Sequence, residues 1–324
     1  MLNAVRTTFL LAALTGVFVA IGYVVGGLNG MLIALGFALV MNALSYWNSD
    51  RLVLRLQNAE PVGRDRAPDL HALVEELAAA AGIPTPKLYL IGADQPNAFA
   101  TGRDPQNAAV AVSTGLLSHL ERDEIAGVIA HELSHIRSRD TLIMTLTATL
   151  AGAISVLAQF GLFFGARNSN SPIGPVGAIL LIVLAPIAAI IVQMAISRTR
   201  EYEADRDAAE ITGDPLALAA ALEKLSRLAK HFENPFARRF PGMAHLYIVN
   251  PLAGRGADSL FSTHPDIRNR IAALREIASQ MTATRHVRRP ARLTRVGEPM
   301  RSGAWRVPDI GIETSLNRQA RPWG

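Results

Sequence analysis

The sequence predicts an α-helical membrane protein in which about four transmembrane helices carry an α+β domain. Two observations support this fold class. Hydrophobic residues make up 50% of the 324-residue chain, and this composition suits a protein that exposes apolar surface to lipid. The apolar residues are also concentrated in two pairs of long uncharged runs, each followed by a polar stretch. The chain is therefore predicted to alternate between the bilayer and water.

The first pair of apolar runs covers residues 7–49, where no side chain is charged. A break at Gly26, Gly27, Asn29 and Gly30 divides it into two runs of roughly 20 residues, the length that crosses a bilayer. A secretory signal peptide has one short apolar core followed by a polar chain. Because a second run follows at once here, we predict two retained helices.

The second pair of apolar runs covers residues 141–166 and 173–196, with a polar, turn-like segment over residues 167–172. Each run is again long enough to span a bilayer. An alternative is a buried helical hairpin inside a soluble core, because glycine, glutamine and proline dilute the hydrophobicity of these runs. We predict a transmembrane hairpin from the length of the runs.

Arginines flank both apolar pairs on the side of the polar stretches, whereas the connecting turns carry only Arg167. The positive-inside rule then places both chain ends and the polar stretches in the cytoplasm. Five regions are predicted: two transmembrane helices (1–49), the first part of a cytoplasmic domain (50–140), a transmembrane hairpin (141–196), the second part of the domain (197–281) and a basic, disordered tail (282–324). The tail is read as a solvated terminus, with weak attraction to anionic lipid as the alternative.

The first polar stretch has the pattern of an α+β domain. Helical periodicity, strand-like runs and turn residues predict helices over residues 68–81 and 121–137, and strands over residues 87–91, 97–101 and 108–112. The net charge of +5 comes mainly from arginines that do not follow a helix face or alternate with aromatic residues. Nucleic acid is therefore not an expected partner.

His131 and His135 lie in the predicted helix over residues 121–137. They are four residues apart and share one face, so both imidazoles can reach one Zn²⁺ ion. Glu132 is predicted to be the general base that takes a proton from the attacking water. The pair could also be two exposed histidines on an amphipathic helix. Because the chain has no cysteine, it has no disulfide partner, and any third metal ligand must be an oxygen or nitrogen donor.

Glu201 and Asp205 follow the last apolar run and share a helix face. Glu201 is the predicted third ligand of one zinc ion per chain, since a catalytic zinc takes three protein ligands and leaves one position open. Asp205 is predicted to accept a hydrogen bond from the second ring nitrogen of a zinc-bound histidine. The alternative is a solvated acidic helix.

These motifs together resemble the HtpX family of bacterial membrane metallopeptidases, relatives of the CAAX prenyl-peptidases. The matching features are the two amino-terminal runs, His-Glu-Leu-Ser-His at 131–135 ahead of a helical pair, Arg-Glu-Tyr-x-Ala-Asp at 200–205 behind it, and the late run at 262–271. The resemblance covers nearly all of the chain except the basic tail.

The resemblance implies a gluzincin-like fold with zinc on His131, His135 and Glu201. It implies a metalloendopeptidase acting on misfolded or damaged membrane proteins, in protein quality control or the stress response. It further implies a multi-pass protein of the bacterial inner (cytoplasmic) membrane, whose active site faces the cytoplasm. The expected partners are these substrates and the lipid bilayer.

Three further residues are candidates for contact with the substrate. His264 and Arg270, in the late run, are predicted to stabilise negative charge on the carbonyl oxygen. Asn97 opens a segment of small residues, 97–102, that suits an edge strand to which an extended peptide can add. The alternatives are a loop histidine without a catalytic role and an ordinary hairpin strand.

Two other functions fit the sequence less well. A catalytically idle membrane protein could use zinc as a structural clamp, but such a closed site usually has four protein ligands, and the remaining histidines show no ligand spacing. A transporter is disfavoured because the predicted spans contain no ionisable residue to line a pathway. An open, reactive zinc site remains the favoured interpretation.

Overall fold

The computed structural model of the protein describes residues 2–145, 198–229, 231–232, 246–249 and 265–287. Its first helix, α1 (Leu2–Leu56), folds back on itself at Gly26 and Gly27, whose backbone angles are not helical. Gly27 has φ 57° and ψ −144°, a combination that glycine adopts readily because it has no Cβ. The two halves of α1 touch across the bend, where the rings of Phe18 and Phe37 lie 5.6 Å apart. The predicted glycine break is confirmed.

Beyond the bend, Gly26–Asn48 is the one segment of the described residues that is long and apolar enough to cross a membrane. It has 23 residues, and its apolar side chains are largely exposed. The prediction of four spans is not confirmed by this result. The second predicted pair, residues 141–196, lies outside the described residues except for its first five positions, which are helical.

A four-stranded mixed sheet forms the centre of the domain. Its strands are β1 (Ala59–Pro61), β2 (Lys87–Ile91), β3 (Ala98–Gly102) and β4 (Ala108–Ser113), in the order β1-β2-β4-β3. β2 and β4 are parallel, and each outer strand is antiparallel to its neighbour. The three predicted strands are confirmed to within one residue at each end. β1 was missed because three residues ending in proline carry no alternating pattern.

The remaining helices are α2 (Pro68–Ala81), α3 (Thr114–His119), α4 (Arg122–Arg137), α5 (Arg198–Thr212), α6 (Pro215–Leu228) and α7 (Ile267–Val287). α2 has the predicted bounds and ends at Gly82, where φ is 69°. α4 begins with a capping box between Glu121 and Glu124. α7 continues past residue 281, where the composition had suggested the start of a disordered tail.

The sheet buries both faces, and alternation along each strand decides which face a side chain joins. Leu90 and Val110 point into the main core, which they share with α2, α4 and α6. Phe99 and Ala111 point the other way, into a smaller core formed with the last turns of α1. The sheet therefore lies between the three helices and the end of α1, with β3 as the edge strand nearest α4.

Candidate active site

Helix α4 presents two histidines on one buried face. His131 and His135 are 2% and 3% exposed, and their Nε2 atoms lie 3.3 Å apart. One helical turn separates the two residues, so their side chains leave the helix in the same direction. The predicted pairing of these imidazoles is present in the structure.

Helix α5 brings Glu201 to the same point. Its Oε2 lies 3.7 Å from His131 Nε2, and its Oε1 lies 3.7 Å from His135 Nε2. A ligand atom from each of the three residues lies within 4.8 Å of the other two, and all three side chains are buried. Glu201, 70 positions after His131 in the chain, thus lies beside both histidines, as predicted from the need for a third ligand.

The donor set fits a zinc ion. Zn–N bonds of 2.0–2.1 Å at tetrahedral angles place two nitrogen donors about 3.3 Å apart. This value matches the distance between His131 Nε2 and His135 Nε2. The Glu201 oxygens are a few tenths of an ångström farther away, within reach of a small side-chain rotation. Two imidazoles and one carboxylate are also the ligands of many catalytic zinc sites.

Each histidine has a carboxylate behind its other ring nitrogen. Asp205 Oδ1 lies 3.0 Å from His131 Nδ1, and Asp140 Oδ2 lies 3.3 Å from His135 Nδ1. A proton held on Nδ1 leaves the lone pair on Nε2, which is the tautomer that binds a metal. Asp205 was predicted for this role. Asp140 was missed, although its position at the start of a long uncharged run was a signal.

Arg270 on α7 forms ion pairs with the two acidic residues of α5 at the site. Its Nε and Nη2 donate to Asp205 at 2.8 and 2.6 Å, and its Nη1 lies 3.2 Å from Glu201 Oε2. The side chain is fully buried. In the structure its guanidinium faces two acidic residues behind the metal ligands, and the contact of Arg270 with a substrate stays a prediction.

Glu132 is held by the edge strand. Its Oε2 accepts a hydrogen bond from the backbone N–H of Ala100 at 2.8 Å, and its side chain lines the same cavity as the three ligands. Burial raises the pKa of Glu132 above its ordinary value, against the opposing effect of His131 and His135. A carboxylate with a raised pKa is better suited to take and return a proton near neutral pH.

Burial and neighbouring charges also shift the pKa values of His135, His131 and Asp205. Burial lowers the pKa of His135, but Asp140, Glu201 and Glu132 together outweigh this effect and raise the pKa to about 10. Burial also opposes protonation of His131, yet Asp205 and Glu201 hold its pKa above the ordinary value. For Asp205 the effect of burial is overcome by Arg270, which lowers its pKa.

The cavity in front of the metal ligands is small and partly apolar. Its volume is about 20 Å³, little more than one water molecule needs. Side chains that are not metal ligands contribute an apolar wall consisting of Phe99, Met144, Leu246, Tyr247 and Ile248. A peptide chain would require these walls to move apart.

Asn97 has a role inside the chain. Its Oδ1 accepts a hydrogen bond from the backbone N–H of Ile248 at 3.3 Å, and the residue is 5% exposed. Its oxygen thus anchors the segment 246–249 beside the edge strand, and the contact of Asn97 with a substrate stays a prediction. His264 lies outside the described residues, and its catalytic role stays a prediction.

The chain is similar to a known protein family and to a solved structure. A family model described as peptidase family M48 matches residues 64–278, a range that contains all of α4, α5 and strands β2 to β4. The crystal structure of Ste24p from S. mikatae is similar, with a TM-score of 0.46 and 20% sequence identity over 84% of this chain. The alignment covers 65% of the Ste24p chain.

Proposed function

The chain belongs to peptidase family M48, and from this membership we propose that it is a zinc metalloendopeptidase. The observation that carries the proposal is the convergence of His131, His135 and Glu201 on one buried point, with Glu132 facing the same cavity. An idle structural clamp would have no use for a buried carboxylate there that does not bind the metal. The three ligands leave an open position, as catalysis requires.

A zinc ion at this site would supply Lewis acidity toward the scissile carbonyl and the attacking water. Glu132 accepts one proton from that water while the water oxygen forms a bond to the carbonyl carbon. The same carboxyl group then delivers the proton to the amine nitrogen as the C–N bond breaks. Ala100 N–H holds the Glu132 carboxylate at the cavity, so the base is in place before a substrate arrives.

The edge strand β3 is the proposed binding place for the peptide backbone. One edge of β3 pairs with β4, and the other faces the cavity that Phe99 and Ala100 help to line. An extended peptide added to this edge would be recognised through main-chain hydrogen bonds, so many sequences would be accepted. The small side chains of Ala98 and Ala100 favour a close approach.

The proposed substrates are misfolded or damaged proteins of the membrane, or segments close to it. Support comes from α1, whose exposed apolar segment Gly26–Asn48 suits a lipid environment and leads directly into the catalytic domain. Arg51 and Arg55 follow that segment and favour a cytoplasmic position for the domain. A multi-pass protein of the bacterial inner membrane that acts in quality control is consistent with these features.

The decisive experiment compares the full-length protein with Glu132→Gln, both purified in detergent. Bound zinc is measured by elemental analysis, and cleavage of unfolded casein is followed on gels. We expect equal zinc in both proteins and a rate at least about 100-fold lower in the variant, because general base catalysis typically contributes that much or more. Glu76→Gln, an exposed position on α2, is the matched control and should cleave at the wild-type rate.

The outcomes separate the two parts of the proposal. If Glu132→Gln keeps its zinc and cleaves casein as fast as the wild type, the peptidase mechanism is wrong. If the wild-type protein binds no zinc, the metal assignment fails. A chelator that stops cleavage, followed by recovery when zinc is restored, supports both parts.

A further inference from the structure

We propose that Asp140 is a positioning residue that fixes His135 as a zinc ligand. The inference rests on the zinc site of the proposed function and extends it to a residue between α4 and the next apolar run. Asp140 does not line the cavity, so its effect on the metal must act through the imidazole of His135.

Asp140 is held beside His135 by both its side chain and its backbone. Its Oδ2 lies 3.3 Å from His135 Nδ1, and its backbone N–H donates to the carbonyl oxygen of His135 at 3.2 Å. The chain reverses between them at Arg139, a non-glycine residue with φ 57°. This tight turn places the carboxylate at the rear nitrogen of the ring, where it can fix the orientation of the ring.

The two carboxylates behind the histidines differ in their partners. Asp205 shares its charge with Arg270, which binds both of its oxygens. Asp140 Oδ1 is buried with no hydrogen-bond partner, and within the described part of the chain no arginine or lysine forms an ion pair with it. Among the described residues, His135 is therefore the one ion-pair partner of the Asp140 carboxylate.

The turn that carries Asp140 is fixed from the other side as well. The Asp140 carbonyl accepts from Met144 N–H at 3.0 Å, which begins the helical residues 141–145. The Thr141 hydroxyl donates to the Gly102 carbonyl at 3.0 Å, at the end of β3. Asp140 is thus bonded to α4 and to the following helix, and its neighbour Thr141 bonds the edge strand, so the position of Asp140 is fixed as a positioning residue requires.

The test uses the full-length protein in detergent with Asp140→Ala, Asp140→Asn and the control Asp214→Asn. Asp214 is also an acidic residue just before a helix, but it is exposed and caps α6. Zinc affinity is measured by competition with a chelator, and the Co²⁺-substituted proteins are compared by their visible spectra.

We expect Asp140→Ala to bind zinc about 10–100-fold more weakly, the usual effect of removing such a partner. Its Co²⁺ spectrum should shift, because one imidazole loses its orientation. Asp140→Asn should lose less affinity, since its amide oxygen can still accept from Nδ1–H. Asp214→Asn should match the wild type in both measurements.

The inference is overturned if Asp140→Ala binds zinc as tightly as the wild type and gives the wild-type Co²⁺ spectrum. It is also overturned if Asp214→Asn weakens zinc binding as much, since a general loss of helix capping would then explain the effect. If Asp140→Ala does not fold, Asp140→Leu takes its place, because leucine fills a similar volume without an acceptor oxygen, and wild-type zinc affinity in that variant overturns the inference. Failure of the wild type itself to bind zinc would instead refute the proposed function.

Discussion

Arg270 and Asp205 form a buried, two-pronged ion pair in which Nε and Nη2 of the arginine bind separate oxygens of the carboxylate. The pair joins α7 to α5 directly behind His131. The same guanidinium also forms an ion pair with Glu201, so one positive charge is the counter-charge of two buried carboxylates. Helix α7 therefore helps to hold Asp205 and Glu201 in position at the metal site.

Replacing Arg270 with Leu should strongly destabilise the protein. Two carboxylates would remain buried without their counter-charge, a change that typically costs about 3–5 kcal/mol in the free energy of unfolding. Arg268→Leu, an exposed position on the same helix, is the control and should cost under about 1 kcal/mol. Denaturant unfolding of both variants measures the difference, and equal losses would contradict a structural role for the buried pair.

Glu201→Gln should lose most of its zinc, whereas Glu203→Gln should keep it. Glu201 is buried and faces both histidines, but Glu203 is exposed on another side of α5. An amide is a weaker metal ligand than a carboxylate because it carries no charge. Elemental analysis after dialysis against a weak chelator distinguishes the variants. Wild-type zinc content in Glu201→Gln would remove this residue from the ligand set.

The metal-free protein should become less stable as the pH rises from about 6.5 toward 10. The pKa of His135 is raised from 6.5 to about 10 by Asp140, Glu201 and Glu132, against the effect of burial. A raised pKa means that the protonated histidine stabilises the folded state. This stabilisation is complete below the unfolded pKa and is lost as the pH approaches the folded one.

Thermal unfolding in the presence of a chelator, at several pH values in this range, tests the sign of that dependence. The control is His135→Asn, in which the slope should become smaller because the titrating group is absent. A wild-type protein whose stability rises over this pH range would contradict the expected protonation. Zinc-loaded protein should show a weaker dependence, since a bound metal takes the place of the ring proton.

Gly127→Ala should weaken the packing of α4 against α6. A Cβ at Gly127 would lie 3.0 Å from backbone and side-chain atoms of Leu218, closer than ordinary contact. The helices would have to separate, and such overpacking typically costs about 1–3 kcal/mol. Gly36→Ala, where a Cβ meets open space, is the control in α1. Equal unfolding temperatures for the two variants would contradict the close approach.

Local patterns predicted much of this structure. The helical spacing of His131 and His135, the bounds of α2 and the glycine break in α1 all follow from residues that are near one another in the chain. Glu201 could be chosen because the absence of cysteine restricted the third ligand to nitrogen or oxygen donors. These features depend on chemistry that one segment displays by itself.

Contacts between residues far apart in the chain were not predicted from the sequence. Asn97 looked available for a substrate, yet its oxygen binds a backbone group 151 residues later. Arg270 was predicted to contact the substrate because it lies in the late run that resembles the family, and its buried ion pairs with Asp205 and Glu201 were not foreseen. Asp140 was marked only by its place at the start of an uncharged run, and its contact with His135 depends on a turn at Arg139 that no local pattern predicts.

Helix α1 continues without a break from its apolar segment to Val53 and Leu54, which pack beneath the sheet. From Asn48 to Val53 the helix rises about 7–8 Å, and this length sets the height of the catalytic domain above the apolar segment. Each residue inserted there would lift the domain by about 1.5 Å and turn it by about 100°. Under the proposed function, the distance of a peptide bond from the lipid, more than the side chains beside that bond, would decide whether it reaches Glu132.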